Sequence, residues 1–173
     1  MRAPAVIAAC ALALACPPAA RAEPAAPTSE PSSAAAPSGF VLSTSLGGGA
    51  ELGLSAGRAG LLDLEVAAGW ELGSPAVRPE LALALGFAPD SNLAIRPGVR
   101  VELPGLPVWI RAAVDWSSAR SNDLRPRWFL GGAAWELRVT GALGLFVEAD
   151  TGVPLSAGAG MPLMVRAGAT FRH

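Results

Sequence analysis

Pairs of carboxylates two residues apart are the feature of this sequence that comes nearest to a catalytic pattern. Asp63 and Glu65 form one pair, and Glu148 and Asp150 form another. Two carboxylates on one face could serve as general acid and general base. The same spacing arises wherever a strand carries polar side chains on one face, because alternate residues of a strand point the same way. The pattern leaves acid–base chemistry open but favours a structural interpretation.

The other residue types give little support to a catalytic or metal-binding site. The single histidine, His173, ends the chain, so a Ser-His-Asp arrangement has no imidazole inside a domain. Both cysteines, Cys10 and Cys16, lie in a predicted export signal, which leaves no His and Cys cluster for zinc. Glycine-rich segments at 47–53 and 157–160 lack the strand-to-helix setting of a nucleotide loop. We predict no enzyme activity, no metal and no cofactor.

Residues 1–22 have the composition of a secretory signal peptide. Arg2 supplies a short charged region, residues 3–15 are apolar, and 20–22 read Ala-Arg-Ala, a typical cleavage site. Cys10 and Cys16 each follow small residues, which leaves lipidation as an alternative to cleavage after 22. The sequence therefore predicts export from the cytoplasm.

The rest of the chain divides into a linker and one domain. Residues 23–38 are rich in Pro, Ala and Ser and predict a disordered linker. Residues 39–173 suit a single domain and contain no apolar run of the length a transmembrane helix needs. Loss of Arg2 and Arg21 with the signal would leave a net charge of −3, which argues against nucleic acid as a partner.

Apolar and polar residues alternate in eight segments of this domain. In the last segment Leu163, Val165 and Phe171 share one parity, and Arg166 and Arg172 share the other. Such a period of two predicts strands with one apolar face. When Arg127 is counted with the loop before it, no Asp, Glu or Arg falls on the apolar parity. The predicted strands cover residues 40–50, 61–72, 78–88, 92–103, 107–117, 127–139, 142–151 and 162–172.

Two places conflict with regular strands. Three glycines at 47–49 interrupt the first segment and predict a bulge or the start of a loop. Pro97 lies inside the fourth segment, and proline cannot donate to a hydrogen-bonded ladder. We predict a bulge at Pro97 and Gly98.

Alternation alone fits both a soluble carrier barrel and a membrane barrel. Small residues such as Gly69, Ala84 and Gly132 crowd the polar parity, as the narrow interior of an eight-stranded barrel requires. Aromatic residues of the apolar parity fall at the strand ends, as in the girdles at a membrane interface. These girdle residues are Phe40, Trp70, Trp135 and Phe171 at one level and Phe87, Trp116 and Phe129 at the other.

A periplasmic N-terminus gives the loop lengths typical of membrane barrels. It makes 103–107 and 140–141 short periplasmic turns, and it places the loops near Gly57, at 117–127 and at 152–160 outside the cell. The connection at 89–91 is short for an outer loop. The pattern favours an eight-stranded antiparallel up-and-down transmembrane β-barrel, which is an all-β fold.

From Phe40 to Phe171 the chain resembles the small outer-membrane barrels of the OmpA/OmpX-like superfamily. Its last strand is similar to the C-terminal signal read by the barrel-assembly machinery, although the aromatic residue stands two positions before the end. The resemblance implies an integral outer-membrane location. The expected partners are membrane lipid, lipopolysaccharide and the assembly machinery, and we expect a monomer.

In such a barrel the polar parity faces the lumen, where buried charges must be paired or hydrated. The charges form either an ion-pair network that plugs the barrel or the lining of a narrow pore, and the plug is favoured because Trp109, Trp128 and Phe146 also point inward. The predicted lumen charges are Asp63, Glu65, Glu71, Glu80, Arg96, Arg100, Glu102, Arg111, Asp115, Glu136, Arg138, Glu148, Asp150, Arg166 and Arg172.

Arginines of the third outer loop suggest a surface contact. Arg120, Arg125 and Arg127 could bind lipopolysaccharide phosphates, although a solvated loop explains them as well. The leading functional hypothesis is a non-enzymatic outer-membrane protein with a structural or surface-interaction role. A narrow pore for small solutes and a secreted carrier of an apolar ligand are the alternatives.

Overall fold

Eight antiparallel strands form a closed barrel in the computed structural model, which describes residues 39–54, 57–118 and 123–173. Each strand pairs with its neighbours in sequence, and the last strand closes on the first. The predicted fold class is confirmed, whereas the predicted signal and linker lie outside the described residues. The strands are β1 (Gly39–Leu54), β2 (Gly57–Glu71), β3 (Val77–Ala88), β4 (Asn92–Glu102), β5 (Val108–Ser117), β6 (Arg125–Arg138), β7 (Leu143–Pro154) and β8 (Met161–Arg172).

No helix in the described part of the chain has the length and apolar character needed to cross a membrane.

The barrel has an apolar outside and a charged inside. In β7, Leu145 and Val147 are about half exposed, at 48% and 51%, whereas Phe146 and Glu148, which alternate with them, are buried. Because successive side chains of a strand point to opposite faces, the same alternation carries around the whole sheet. Closure pairs every strand on both sides, so no edge is left with open hydrogen-bonding groups.

The glycine run in β1 does not interrupt the strand, contrary to prediction. β1 pairs with β2 without a break from Gly39 to Glu51, and its first register shift lies between Glu51 and Leu54. The reason is steric. A Cβ on Gly47 would lie 2.7 Å from both Cγ of Arg166 and Oδ1 of Asp63. The glycine leaves room for two charged side chains.

Pro97 is accommodated without the predicted bulge. β4 keeps one register against β3, with Leu81 opposite Pro97. Against β5, the pairs recorded next to the proline are Ile95 with Trp116 and Gly98 with Ala113, and these share one register. The ladder between β4 and β5 is interrupted over only two residues, because proline lacks only its own N–H group. Register shifts occur elsewhere, at Leu62/Asp63 and at Asp115/Trp116.

Replacing Gly132 with alanine should destabilise the barrel. A Cβ at this inward position would collide with Oδ1 of Asp150 and lie 2.9 Å from the carbonyl oxygen of Ala149. We expect a loss of about 1–3 kcal/mol in the free energy of unfolding, the usual cost of overpacking. Denaturant unfolding of the protein in lipid vesicles, followed by tryptophan fluorescence, measures it.

The neighbouring variant Gly131→Ala is the control. Its Cβ would meet no atom closer than the carbonyl oxygen of Arg111, at 4.0 Å. Its stability should stay within about 0.5 kcal/mol of the unchanged protein. Equal losses at the two positions would contradict the assigned facing of β6.

Candidate functional site

The barrel interior is the candidate site, and its charged side chains fall into three groups. The terminal ring lies at the end where β1 begins and β8 ends, and it comprises Glu71, Arg78, Glu136 and Arg172. The loop-end pair, at the opposite end, is Glu51 with Arg127. Between them the central network comprises Asp63, Glu65, Glu80, Arg96, Arg100, Arg111, Asp115, Glu148, Asp150 and Arg166.

Arg96 and Arg166 each bind three carboxylates in the half of the network nearer the loops. Nη1 of Arg96 lies 2.9 Å from Oδ2 of Asp63 and 2.7 Å from Oε2 of Glu65. Nη2 of Arg166 lies 3.1 Å from the same Asp63 oxygen, and its Nη1 lies 2.8 Å from the same Glu65 oxygen. The third partners are Asp115, 2.7 Å from Nε of Arg96, and Asp150, 2.9 Å from Nε of Arg166.

Arg111 and Arg100 continue the network toward the terminal ring. Nη2 of Arg111 lies 2.9 Å from Oε1 of Glu65, and its Nε lies 3.1 Å from Oε1 of Glu80. Nε of Arg100 donates to Oε2 of Glu80 at 2.8 Å. Both arginines bind Glu148, Arg100 at 2.8 Å and Arg111 at 3.3 Å. Glu65 therefore has three arginine partners and joins the two halves of the network.

The terminal ring alternates acids and bases. Arg78 donates to Glu71, and Nε of Arg172 lies 3.1 Å from Oε1 of the same glutamate. Nη2 of Arg172 lies 2.6 Å from Oε1 of Glu136, and Arg78 lies 3.8 Å from Oε2 of Glu136. The guanidinium carbon of Arg78 also lies 4.3 Å from the ring centre of Trp109. A cation over an indole face adds to the cohesion of this end.

Arg127 faces the interior and does not lie in an outer loop, which corrects the prediction of a lipopolysaccharide contact there. Its Nη2 lies 2.6 Å from Oε2 of Glu51, and its guanidinium covers the ring of Trp128 at 4.0 Å. The cause is a register shift: Trp116 pairs with Pro126 but Asp115 pairs with Trp128, which leaves Arg127 as an extra residue. A bulge of this kind changes the direction in which a side chain points, and here it turns Arg127 toward the interior.

The β7–β8 loop is fastened to the loop-end pair. The N–H of Gly160 donates to Oε1 of Glu51 at 2.7 Å, and Nε1 of Trp128 donates to the carbonyl oxygen of Gly160 at 2.8 Å. The last residue of this loop is therefore bound to both Glu51 and Trp128.

Other predicted residues lie at the rims. Glu102 and Arg138 pair with each other at 3.3 Å, but with side chains 29% and 46% exposed they lie outside the buried network predicted to contain them, because each lies at the end of its strand. Arg125 is exposed and pairs with Asp123 at 3.5 Å. Arg120 lies outside the described residues.

The predicted girdle aromatics all lie on the exposed face, and Phe40 packs edge-on against Trp70 with ring centres 6.1 Å apart.

Sequence reasoning missed two interior charges, Glu51 and Arg78. Arg78 shares the inward parity of Glu80, so the alternation could have identified it. Glu51 lies one residue past the predicted end of the first strand and is fully buried. A strand extended by that residue would have placed it inside.

Side chains fill the interior of the described barrel. Trp109, Trp128 and Phe146 are buried inside, and each lies beneath an arginine. The cavity bordered by Asp63, Arg96 and Trp128 has a volume of about 20 Å³, room for about one water molecule. Among the described residues no group of three or more His, Cys, Asp or Glu side chains is placed to hold a metal. The chemistry available to this interior is therefore the pairing of charged side chains from different strands with one another.

Replacing Arg166 with methionine should be strongly destabilising. The change leaves Asp63, Glu65 and Asp150 short of one cation in a site where the arginine is fully buried. Breaking a buried pair from one side costs about 3–5 kcal/mol. The free energy of unfolding in lipid vesicles, measured by denaturant titration, should fall by that amount.

The matched variant Arg138→Met removes the same charge at the exposed rim. It should cost less than about 1 kcal/mol, as is usual for an exposed pair. Similar losses for the two variants would show that the central network does not support the fold.

Comparison with known proteins bears on the fold. No protein-family model matches the chain, and no curated protein matches it. The crystal structure of Neisserial surface protein A matches with a TM-score of 0.52 at 11% identity, over 81% of this chain and 99% of that one. The N-terminal barrel of Pseudomonas aeruginosa OprF gives a TM-score of 0.45 at 16% identity, over 77% of this chain and 97% of the other.

A designed transmembrane barrel, TMB2.3, gives a TM-score of 0.42 at 18% identity, over 78% of this chain and 94% of the designed one. The match to Neisserial surface protein A confirms, at the level of the fold, the predicted likeness to small outer-membrane barrels.

Proposed function

We propose that this protein is an integral outer-membrane β-barrel with a structural or surface-interaction role and a closed polar interior. The observation that carries the proposal is the exposed apolar belt. Its aliphatic side chains, such as Leu83 and Val165, are 51% and 56% exposed, and aromatic residues flank them toward both ends of the barrel. An apolar band about 25 Å tall between two aromatic girdles is what a bilayer requires of a barrel surface.

The belt also argues against a soluble carrier. Such a carrier keeps its apolar side chains inside around a ligand, whereas this barrel keeps charged side chains inside. In water the belt would be an apolar surface far larger than soluble monomers expose. In a bilayer the same surface contacts the apolar acyl chains and does not have to be buried.

We propose that the N-terminus faces the periplasm. The two longest connections, 118–124 between β5 and β6 and 155–160 between β7 and β8, lie at the end of the barrel opposite the N-terminus, and long loops at one end are typical of the outer side of such barrels. The other two connections at that end, 55–56 and 89–91, are shorter than the turns at the N-terminal end, so the proposal depends on the two long loops. This orientation puts Arg125 on the outer side, where it could meet lipopolysaccharide phosphates. The barrel-assembly machinery would insert the chain.

The proposal predicts that the protein fractionates with the outer membrane. A folded barrel should migrate on a gel at a different position before and after boiling, because its closed hydrogen-bonded sheet resists detergent at room temperature. After extraction in mild detergent we also expect it to carry lipopolysaccharide. A protein that stays in the soluble periplasmic fraction and shows one unshifted band would exclude the membrane assignment.

A non-conducting barrel is proposed over a pore because the central network spans the interior from β2 to β8 with ion pairs of 2.7–3.3 Å. Purified protein inserted into planar bilayers should give no conductance steps, because tightly paired side chains leave no continuous water path. Insertion is checked by the heat-dependent gel shift. Regular steps from folded protein would establish the pore instead.

A further inference from the structure

Two prolines lie inside strands of the barrel wall, and each directly follows an arginine. Arg78 precedes Pro79 in β3, and Arg96 precedes Pro97 in β4. Both prolines face outward, and both arginines are buried inside. Each dipeptide therefore puts a buried charge next to a residue that has no N–H to give to the sheet.

The proline of β4 leaves a gap of two residues in the ladder to β5, which we call the central gap. The ladder keeps one register on both sides of this gap, and in that register Pro97 falls opposite Val114 and Arg96 falls opposite Asp115. Pro97 is the sixth of the eleven residues of β4, so the central gap lies in the middle of the wall.

The central gap removes one hydrogen bond from the wall. In an antiparallel pair the N–H and C=O groups of alternate residues face the partner strand. Leu103 donates its N–H to Val108 of β5, so the odd-numbered residues of β4, Pro97 among them, face β5. The carbonyl of Val114 is therefore aimed at a residue without an N–H. In hydrocarbon no water takes the place of the missing donor.

The ladder between β2 and β3 has a gap of the same form beside the terminal ring, which we call the rim gap. It also covers two residues of each strand, and in the register on both sides of it Pro79 falls opposite Trp70 and Arg78 opposite Glu71. The residue two positions before this proline exchanges hydrogen bonds with β2, so Pro79 faces the strand to which it cannot donate.

In both gaps the arginine is bonded to the carboxylate directly opposite it. Nε of Arg96 donates to Oδ2 of Asp115 at 2.7 Å, and Arg78 donates to Glu71. All four side chains are buried. Each ion pair joins the two strands that the proline leaves unconnected, at the position next to the missing hydrogen bond. A hydrogen bond between charged groups is stronger than the neutral ladder bond that it stands beside.

The third Arg-Pro dipeptide of the chain has neither feature. Pro126 is the second residue of β6 and is paired with Trp116, and the described ladder has a bulge there in place of a gap. Arg125 lies opposite Ser117, is exposed, and pairs with Asp123 of the loop before it. The ion pair between strands therefore accompanies the gap and not the dipeptide.

We propose that the wall of this barrel opens first at the central gap and the rim gap, and that the ion pairs Arg96–Asp115 and Arg78–Glu71 are clasps that hold these two gaps closed. Opening is local, because ladders without a gap, such as that between β7 and β8, stay paired. It does not depend on the orientation of the barrel in the membrane.

The test is amide hydrogen exchange, resolved by residue with NMR, on the full exported protein in phosphatidylcholine bilayer discs. Asp115→Asn should accelerate exchange beside the central gap by at least about tenfold, because a hydrogen bond between charged groups is lost. The amides that report on this gap are those of Ile95, Val99 and Val114. In the unchanged protein they should already exchange faster than the amides shared by β7 and β8.

The second clasp provides the matched control. Glu71→Gln should accelerate exchange at Leu72 and Val77, beside the rim gap, and should leave the central gap within about twofold, as expected for distant sites. Asp115→Asn should in turn leave Leu72 and Val77 within the same factor.

Pro97→Val supplies an N–H opposite Val114 without changing any charge. It should slow exchange at the central gap by about two- to tenfold, the usual contribution of one hydrogen bond. This variant decides the matter if Asp115→Asn does not fold.

Three results would overturn the proposal. They are central-gap amides that exchange as slowly as those between β7 and β8, equal acceleration at both gaps in either acidic-residue variant, and an unaltered rate in Pro97→Val. Entry into the discs is scored separately by the gel shift. Protein that does not enter them, a result against the proposed membrane function, is measured in zwitterionic micelles, where the same rates decide.

Discussion

Burying charge inside a closed sheet is the constraint on which the rest of this structure depends. A charged side chain in that position is stable only with partners close enough to replace water. Arg111 and Arg166 are fully buried, and each contacts three carboxylates. The glycines of the inner face follow from this demand, because a methyl group at Gly47 or Gly144 would occupy the space of a charged side chain.

The strands and their facing could be predicted because a period of two is a local property of the chain. Each residue of β8 from Leu163 to Phe171 takes the side that its parity indicates, and the burial of Arg166 and exposure of Val165 follow directly. The direction of the apolar face was harder to predict, since a soluble barrel has the same alternation. Small residues on the polar face indicated that this face is the interior, because an eight-stranded interior holds long charged side chains only if their neighbours are small.

What could not be predicted depends on geometry between strands that are distant in sequence. Parity identifies Glu65 as an inward carboxylate but does not show that Arg96, Arg111 and Arg166 converge on it from three other strands. Arg127 lies on the apolar parity, and only the register shift beside Trp116 explains why it reaches Glu51. A bulge adds one residue to one strand, and no local pattern of residue types marks it.

Arginine suits the interior cations because each one makes several contacts, although the sequence has no lysine anywhere and also carries arginine at its exposed rim. A lysine has a single ammonium group, which is a compact and strongly hydrated charge. Arg96 reaches Asp115 through Nε while Nη1 reaches both Asp63 and Glu65, a spread of contacts that requires separate nitrogens fixed in one plane. Because each guanidinium holds carboxylates from several strands, it ties together parts of the sheet that are not hydrogen-bonded neighbours. The interior ion pairs therefore hold opposite walls of the barrel together, in addition to the hydrogen bonds between neighbouring strands.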